Sequence, residues 1–293
     1  MEHNTVYRTR IKFLELFLLA VIYGAASLTV VFLLGVIGYV FLKGFPVLRP
    51  DFFTNVTSSL HGTMGIGGNL LNTLYLVVIA LFIGIPVGVG AAIYLNEYAR
   101  KGRLIDVIEF AIETLAGIPS ILFGMFGMVF FGGTLGLGYS LLNGALTLTL
   151  MILSLVVQNT REALRAVPKS YKEGALGMGA AKWHMIRTIL LPTAWPGIFT
   201  GVILAVGRIV GESAALLYTA GSARGLPGLG QGFWEDSSRL WGKVFESGGS
   251  LAIELYLQMQ NGQYELAFGI GCVLLLFVLL MNTLTRLMGS RMS

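Results

Sequence analysis

The sequence predicts an all-α membrane protein with six transmembrane helices. Three observations carry that prediction. The 293-residue chain is 55% hydrophobic and only 12% charged, about half the charged share of an average soluble domain. Its mean hydropathy is +0.77. Several apolar runs exceed the ~20 residues that cross ~30 Å of hydrocarbon at 1.5 Å per residue. No run shows the short alternation of a barrel strand, and hydrocarbon tolerates only helices or closed barrels, so the spans are helical. Most of the 39 glycines lie inside apolar runs, where small residues let helices approach closely. The single Cys272 excludes an internal disulfide and reads as a small buried hydrophobe.

The first span is an uncleaved helix over about Phe13 to Leu42, too long for the apolar core of a signal peptide. Residues 43–68 form a polar loop with Pro46 and Pro50. The second span is Asn69 to Leu95 and contains Pro86; Asn96 to Arg103 is a short basic loop. The third span, Ile105 to about Phe131, opens with Asp106, Glu109 and Glu113, which suit a helix N-terminus, and is interrupted near Pro119. Each proline reads either as a kink whose freed carbonyl a neighbour satisfies or as a hinge beside a pathway. A glycine turn, 132–138, leads to the fourth span, Tyr139 to about Val157. A polar island, 158–194, separates it from the fifth span, Trp195 to Ala220. A long polar loop, 221–264, precedes the sixth span, Glu265 to Leu287.

Lys and Arg counts set the orientation. With the N-terminus cytoplasmic, 14 of the 20 basic residues fall on the cytoplasmic side, among them Arg8, Arg10, Lys12, Arg100, Lys101, Arg103, Lys182, Arg187, Arg286 and Arg291, and 5 fall outside. Both termini and the island then face the cytoplasm. The net charge of +5 follows from this bias and does not argue for nucleic acid.

Within the island, Ser170 and Glu173 have capping-box spacing, predicting a short helix over about Tyr171 to Met178 stopped by Gly177 and Gly179. It would expose Tyr171, Ala175 and Met178 near one another. A second helix, about Ala181 to Leu190, leads to Pro192. The first helix could be a knob for a partner's groove or an amphipathic helix resting on anionic headgroups.

Arg208 and Glu212 lie inside the fifth span. A mid-span charge costs about 2.5–3.5 kcal/mol even on a mild scale, so it must face protein or water. Four residues apart, the two would share a helix face. That face also carries Gly201, Ala205, Ala215 and Thr219, with Ile203, Val206, Val210 and Leu217 opposite. The pair reads either as a structural tie between spans or as a pathway site, with Arg208 forking onto a passing oxyanion and Glu212 holding it. No glycine-rich phosphate cradle of the P-loop type is present, so ATP would be bound and split elsewhere. His3, His61 and His184 are too scattered for a metal cluster. Trp234 and Trp241 read as interfacial anchors or as a contact for a substrate-delivery protein.

The spacing Glu173, Ala175, Gly179, Ile189, Leu191, Pro192 resembles the EAA loop of ABC importer permeases, with Gly174 in place of the first Ala. Around it, Ala92 to Lys101, Gly117 to Gly124 and Gly211 to Ala220 resemble the PstA-type permeases of phosphate-specific ABC importers, a likeness covering about 69–220. The resemblance implies a type I importer permease of MetI-like architecture. Its short helix, with Glu173, Gly174, Ala175, Gly179, Leu191 and Pro192, would couple to a separate ATPase. It also implies that Arg208, with Glu212, meets the anion. That family often carries Arg where Gln158 stands and Glu where Arg161 stands. Here the order is Gln158-Asn159-Thr160-Arg161-Glu162, so the charges are displaced; Gln158, Arg161 and Glu162 stand with Arg208 and Glu212 as candidates for the substrate pathway.

The resulting expectation is a prokaryotic plasma-membrane permease for inorganic phosphate, not itself an enzyme. Residues 1–68 form an N-terminal unit and 69–293 the permease core. Its partners would be a second homologous permease, a cytoplasmic ABC ATPase dimer that holds ATP and Mg, an extracytoplasmic phosphate-binding protein and the bilayer. No cofactor or metal is expected on the chain. The alternatives are another oxyanion such as sulfate or molybdate, an ATP-independent secondary transporter or channel, and a membrane scaffold.

Overall fold

The computed structural model describes residues 3–58, 63–100, 102–226 and 233–290. Lys101, His61 and Arg291, and the side chains of His3, Arg8, Arg10, Lys12 and Trp234, lie outside what it describes. Helix α1 spans His3–Gly44. A tight turn, Phe45–Val47, and a short α2, Pro50–Thr54, follow. Strands β1, Val56–Ser58, and β2, Thr63–Ile66, pair antiparallel with Val56 opposite Ile66. The described parts of the 43–68 loop, 45–58 and 63–66, thus hold short elements of their own.

Helix α3, Gly67–Ile93, runs into a π-helical turn, Tyr94–Tyr98. It passes through Pro86 without a break. Pro119 behaves differently. Ile118, pushed to the extended region by the proline that follows (ψ 131°), ends α4, Arg103–Gly117. Helix α5, Ser120–Gly127, then leaves at 105° and closes with a π-helical stretch, Met128–Thr134. The third span is a broken one, not a kinked one. The left-handed backbone of the glycine turn sits at Gly136 and Gly138, with φ of 71° and 54°.

Helix α6, Leu141–Ala166, begins at Ser140, whose side chain caps Asn143 N–H. It continues well past Val157, so the first part of the island is helical rather than looped. Helix α7 is Lys169–Gly177 and α8 is Lys182–Met185. A π-helical turn, Ile186–Leu190, joins α8 to α9, Leu191–Val210. Pro192 does not stop this helix, because it enters within the first turn of α9 and the wider π turn absorbs its missing donor. Helix α10 is Ala214–Thr219. The 221–264 segment is not a simple loop: it holds α11, Phe233–Lys243, and α12, Leu251–Gln260. Helix α13, Tyr264–Ser290, closes the chain.

Five helices among the described residues are long and apolar enough to cross a membrane, and the bent α4–α5 pair supplies a sixth span. The core runs along α3, α6 and α9. Leu76, Ala80, Leu148, Ile152, Ala205 and Ile209 are buried together there. Glycines set the register. A β-carbon on Gly84 would lie 2.8 Å from Ile152 Cδ1, and one on Gly88 2.7 Å from Val156 Cγ1, so α3 and α6 run parallel. Gly197 meets Ala163 at 2.6 Å and Gly201 meets Asn159 at 2.8 Å, so α9 runs antiparallel to α6. Helix α1 touches the bundle near its end, where Tyr39 stacks edge-on to Phe268 at 5.5 Å. Outward apolar side chains such as Phe82, Phe110 and Leu279 stay exposed, as lipid-facing residues do.

Candidate functional site

The fifth span breaks beside its two charges. Gly207 and Gly211 lower helix propensity at the end of α9. Gly211 N–H and Glu212 N–H still reach the Gly207 and Ile209 carbonyls, at 3.2 Å each. Ser213 then turns out of the helix (φ −122°, ψ −40°) and α10 begins. Glu212 Oε1 accepts Ala215 N–H at 3.0 Å, capping the new helix. The continuous charged face expected over 201–219 is thus divided. Its lower part, Gly201 and Ala205, is buried against α6.

Arg208 occupies the last turn of α9, where a cation suits the helix dipole. The α6–α9 register carries it to the level of Ile152, near the middle of the 26-residue α6. It is half-buried, and among the described residues no carboxylate lies within 4.0 Å of it. The expected Arg208–Glu212 ion pair is absent because the break turns Glu212 onto the backbone of α10.

The two broken spans meet. A β-carbon on Gly124 of α5 would sit 2.7 Å from Ala215 Cα of α10. The half-helices beyond each break are therefore packed backbone to backbone.

Gln158, Arg161 and Glu162 converge with Glu109 and Glu113 of α4 around a cavity of about 240 Å³. Arg161 Nη2 pairs with Glu109 Oε1. The Arg161 Nε is buried with no hydrogen-bond partner among the described residues. These groups are separate from Arg208. Asn159 is level with Gly201, and Arg208 lies seven residues further along α9, about 10 Å.

The island folds differently from its expected capping box. Pro168 takes the N-cap position, so Ser170 lies inside the first turn and caps nothing. Ala175 is not exposed: it packs with Leu164, Met185, Ile186 and Leu190. Tyr171, Leu176, Met178 and Trp183 remain exposed, Met178 at 86%. Gly179 supplies the left-handed stop, φ 83°, and its N–H reaches Leu176 O at 3.0 Å. Lys172 pairs with the Glu97 carboxylate. Lys182 donates to the Glu97 carbonyl and lies 4.8 Å from the Tyr98 ring centroid. Helices α7 and α8 are thereby both tied to the turn that ends α3. Glu173 and Gly174 lie on its open side.

One charged group escaped the sequence reading. Glu254 of α12 is fully buried; it accepts from Arg224 Nε at 2.7 Å and from Gln258 Nε2 at 2.6 Å. Its signal was present: a carboxylate inside the apolar run LAIELYL, four residues before a Gln, one turn after Ser250, which caps Ile253. Asn69 and Asn72 of α3 both donate to Gly249 O, at 3.0 and 3.1 Å, fastening this segment to the bundle.

Comparison with known proteins places this geometry. The family of binding-protein-dependent transport system inner membrane components matches residues 84–293. The probable ABC transporter permease protein YqgI of Bacillus subtilis is 36% identical over 272 residues, covering 90% of this chain and 91% of its own. The phosphate transport system permease protein PstA of Xylella fastidiosa is 33% identical over 244 residues, covering 82% and 80%. A bacterial alginate ABC transporter, solved in complex with an alginate-bound periplasmic protein, shares the fold at TM-score 0.67 and 16% identity, covering 94% of this chain and 95% of that one. The MetNI methionine ABC transporter does so at 0.56 and 19%, covering 78% and 94%. The six spans and the short helix on the island are those of a type I importer permease, and the chain belongs to the binding-protein-dependent transport system inner membrane component family as the membrane-spanning permease subunit of an ABC importer.

Proposed function

We propose that this permease carries inorganic phosphate into the cytoplasm. The observation that carries the reading is Arg208: a permanent cation level with the middle of α6, half-buried, with no carboxylate within 4.0 Å among the described residues. A guanidinium offers a planar fork to tetrahedral oxyanions, and an uncompensated one is costly to keep in a span without use. The relatives named as phosphate permeases support phosphate over sulfate or molybdate. Glu212 holds the break beside Arg208. Gln158, Arg161 and Glu162 lie further along, at the island end.

In this reading both termini and α7 face the cytoplasm of a prokaryotic cell, as the basic bias implies. The exposed Tyr171, Leu176 and Met178 seat in a groove of a cytoplasmic ATPase, with Glu173, Gly174, Gly179, Leu191 and Pro192 fixing their presentation and the buried Ala175 anchoring the helix. A second permease chain completes the pathway. A phosphate-binding protein delivers from the α11–α12 side, where Trp241 is 75% exposed. The test is uptake of labelled phosphate into vesicles carrying the whole complex. Unlabelled phosphate should compete and sulfate should not; competition by sulfate at equal concentration points to the broader oxyanion reading.

A further inference from the structure

We infer that the charged cavity between α4 and α6 is a second oxyanion station, and that Glu109 governs how readily the anion leaves it. The inference rests on the phosphate reading and the orientation above, and adds to them a site near the cytoplasmic end and a residue on α4.

The cavity holds about 240 Å³, several times the ~30 Å³ share of one water. Its polar lining is Glu109, Glu113, Gln158, Arg161, Glu162 and Arg165. A guanidinium has five N–H donors. At Arg161, Nη2 is committed to Glu109, and Nε is buried without a partner among the described residues. Arg165 has no carboxylate within 4.0 Å among them. Donors from both arginines and the Gln158 amide thus line one space, with capacity to spare.

The same space carries three carboxylates against two guanidiniums, so it does not trap an anion. Glu109 competes for the guanidinium that an oxyanion would use. An arriving phosphate takes the Arg161 fork as Glu109 swings aside; Glu109 returns as phosphate leaves. A conducting site needs this balance, attractive enough to enter and weak enough to empty. Arg161 lies about two and a half helical turns of α9 from Arg208, about 13 Å, so the two stations are reached in sequence.

The experiment uses the complete complex in vesicles, with phosphate varied on the cytoplasmic side while labelled uptake is measured. Glu109→Gln should lower the half-inhibiting cytoplasmic phosphate concentration by about three- to fivefold, the worth of a partly exposed ion pair. Arg161→Gln should raise it, and Arg161→Lys, which keeps charge but loses the fork, should do the same if the Gln variant fails to assemble. Cytoplasmic sulfate should have no effect in any of them. If Glu109 merely anchors α4, Glu109→Gln alters assembly or maximal rate and leaves the half-inhibiting concentration unchanged, which overturns the inference. So does an unmodified complex insensitive to cytoplasmic phosphate. An unmodified complex that takes up no phosphate at all overturns the cargo reading instead, and the station with it.

Discussion

Glu212 accepts the backbone N–H of Ala215 at 3.0 Å and makes no ion pair with Arg208, four residues before it. Its carboxylate therefore caps the helix that follows the break. Glu212→Gln keeps an acceptor oxygen at the cap and should retain most phosphate uptake. Glu212→Ala removes the cap, worth about 1 kcal/mol, and should lower uptake clearly. Equal losses in both variants would show that the charge, not the cap, is what matters.

Two glycines of the island should respond in opposite ways. Gly174 lies within α7 with open space where a β-carbon would go. Gly174→Ala restores the residue that the EAA pattern carries there, so it should keep the presentation of α7, leave uptake intact and stabilise the helix by about 0.5–1 kcal/mol. Gly179 has φ 83°, a conformation that costs an L-residue about 1–2 kcal/mol. Gly179→Ala should reduce ATP hydrolysis coupled to uptake without removing the protein from the membrane. The check is the ratio of phosphate transported to ATP hydrolysed in reconstituted complex.

Glu254 is buried between Arg224 and Gln258. Glu254→Ala leaves Arg224 without its carboxylate, and breaking a buried pair on one side costs about 3–5 kcal/mol. The thermal midpoint of the purified complex should fall measurably. Arg224→Ala should cost at least as much, because it strands the more deeply buried partner.

The spans were legible because apolar length dictates them, and the island stood out by its polarity; its short helix was placed by a Ser170–Glu173 capping spacing, whereas Pro168 takes the N-cap and Gly179 the stop. Phe13 to Leu42 and Asn69 to Leu95 fall inside α1 and within the long helix that begins at Gly67. Pro86 and Pro119 looked alike in sequence and diverged in structure. Pro86 is carried through a continuous helix, whereas Ile118-Pro119 separates an amphipathic α4 from α5. The Arg208–Glu212 spacing promised one helix face, and helical periodicity cannot anticipate a break between the members. Ala175 was expected on the surface; a small side chain alone cannot tell a knob from a buried contact. Arg161 finds its carboxylate on Glu109, 52 residues away in sequence, a partnership no local spacing reveals.

The phosphate reading requires that Arg208 meets the cargo. Arg208→Gln in the complete complex, reconstituted with its ATPase and binding protein, tests it through labelled phosphate uptake, with subunit assembly measured on the same sample. Assembly should be normal and uptake reduced at least about tenfold, the loss of about 1.4 kcal/mol of interaction with the passing anion. Undiminished uptake, or loss of uptake only together with loss of assembly, would contradict it.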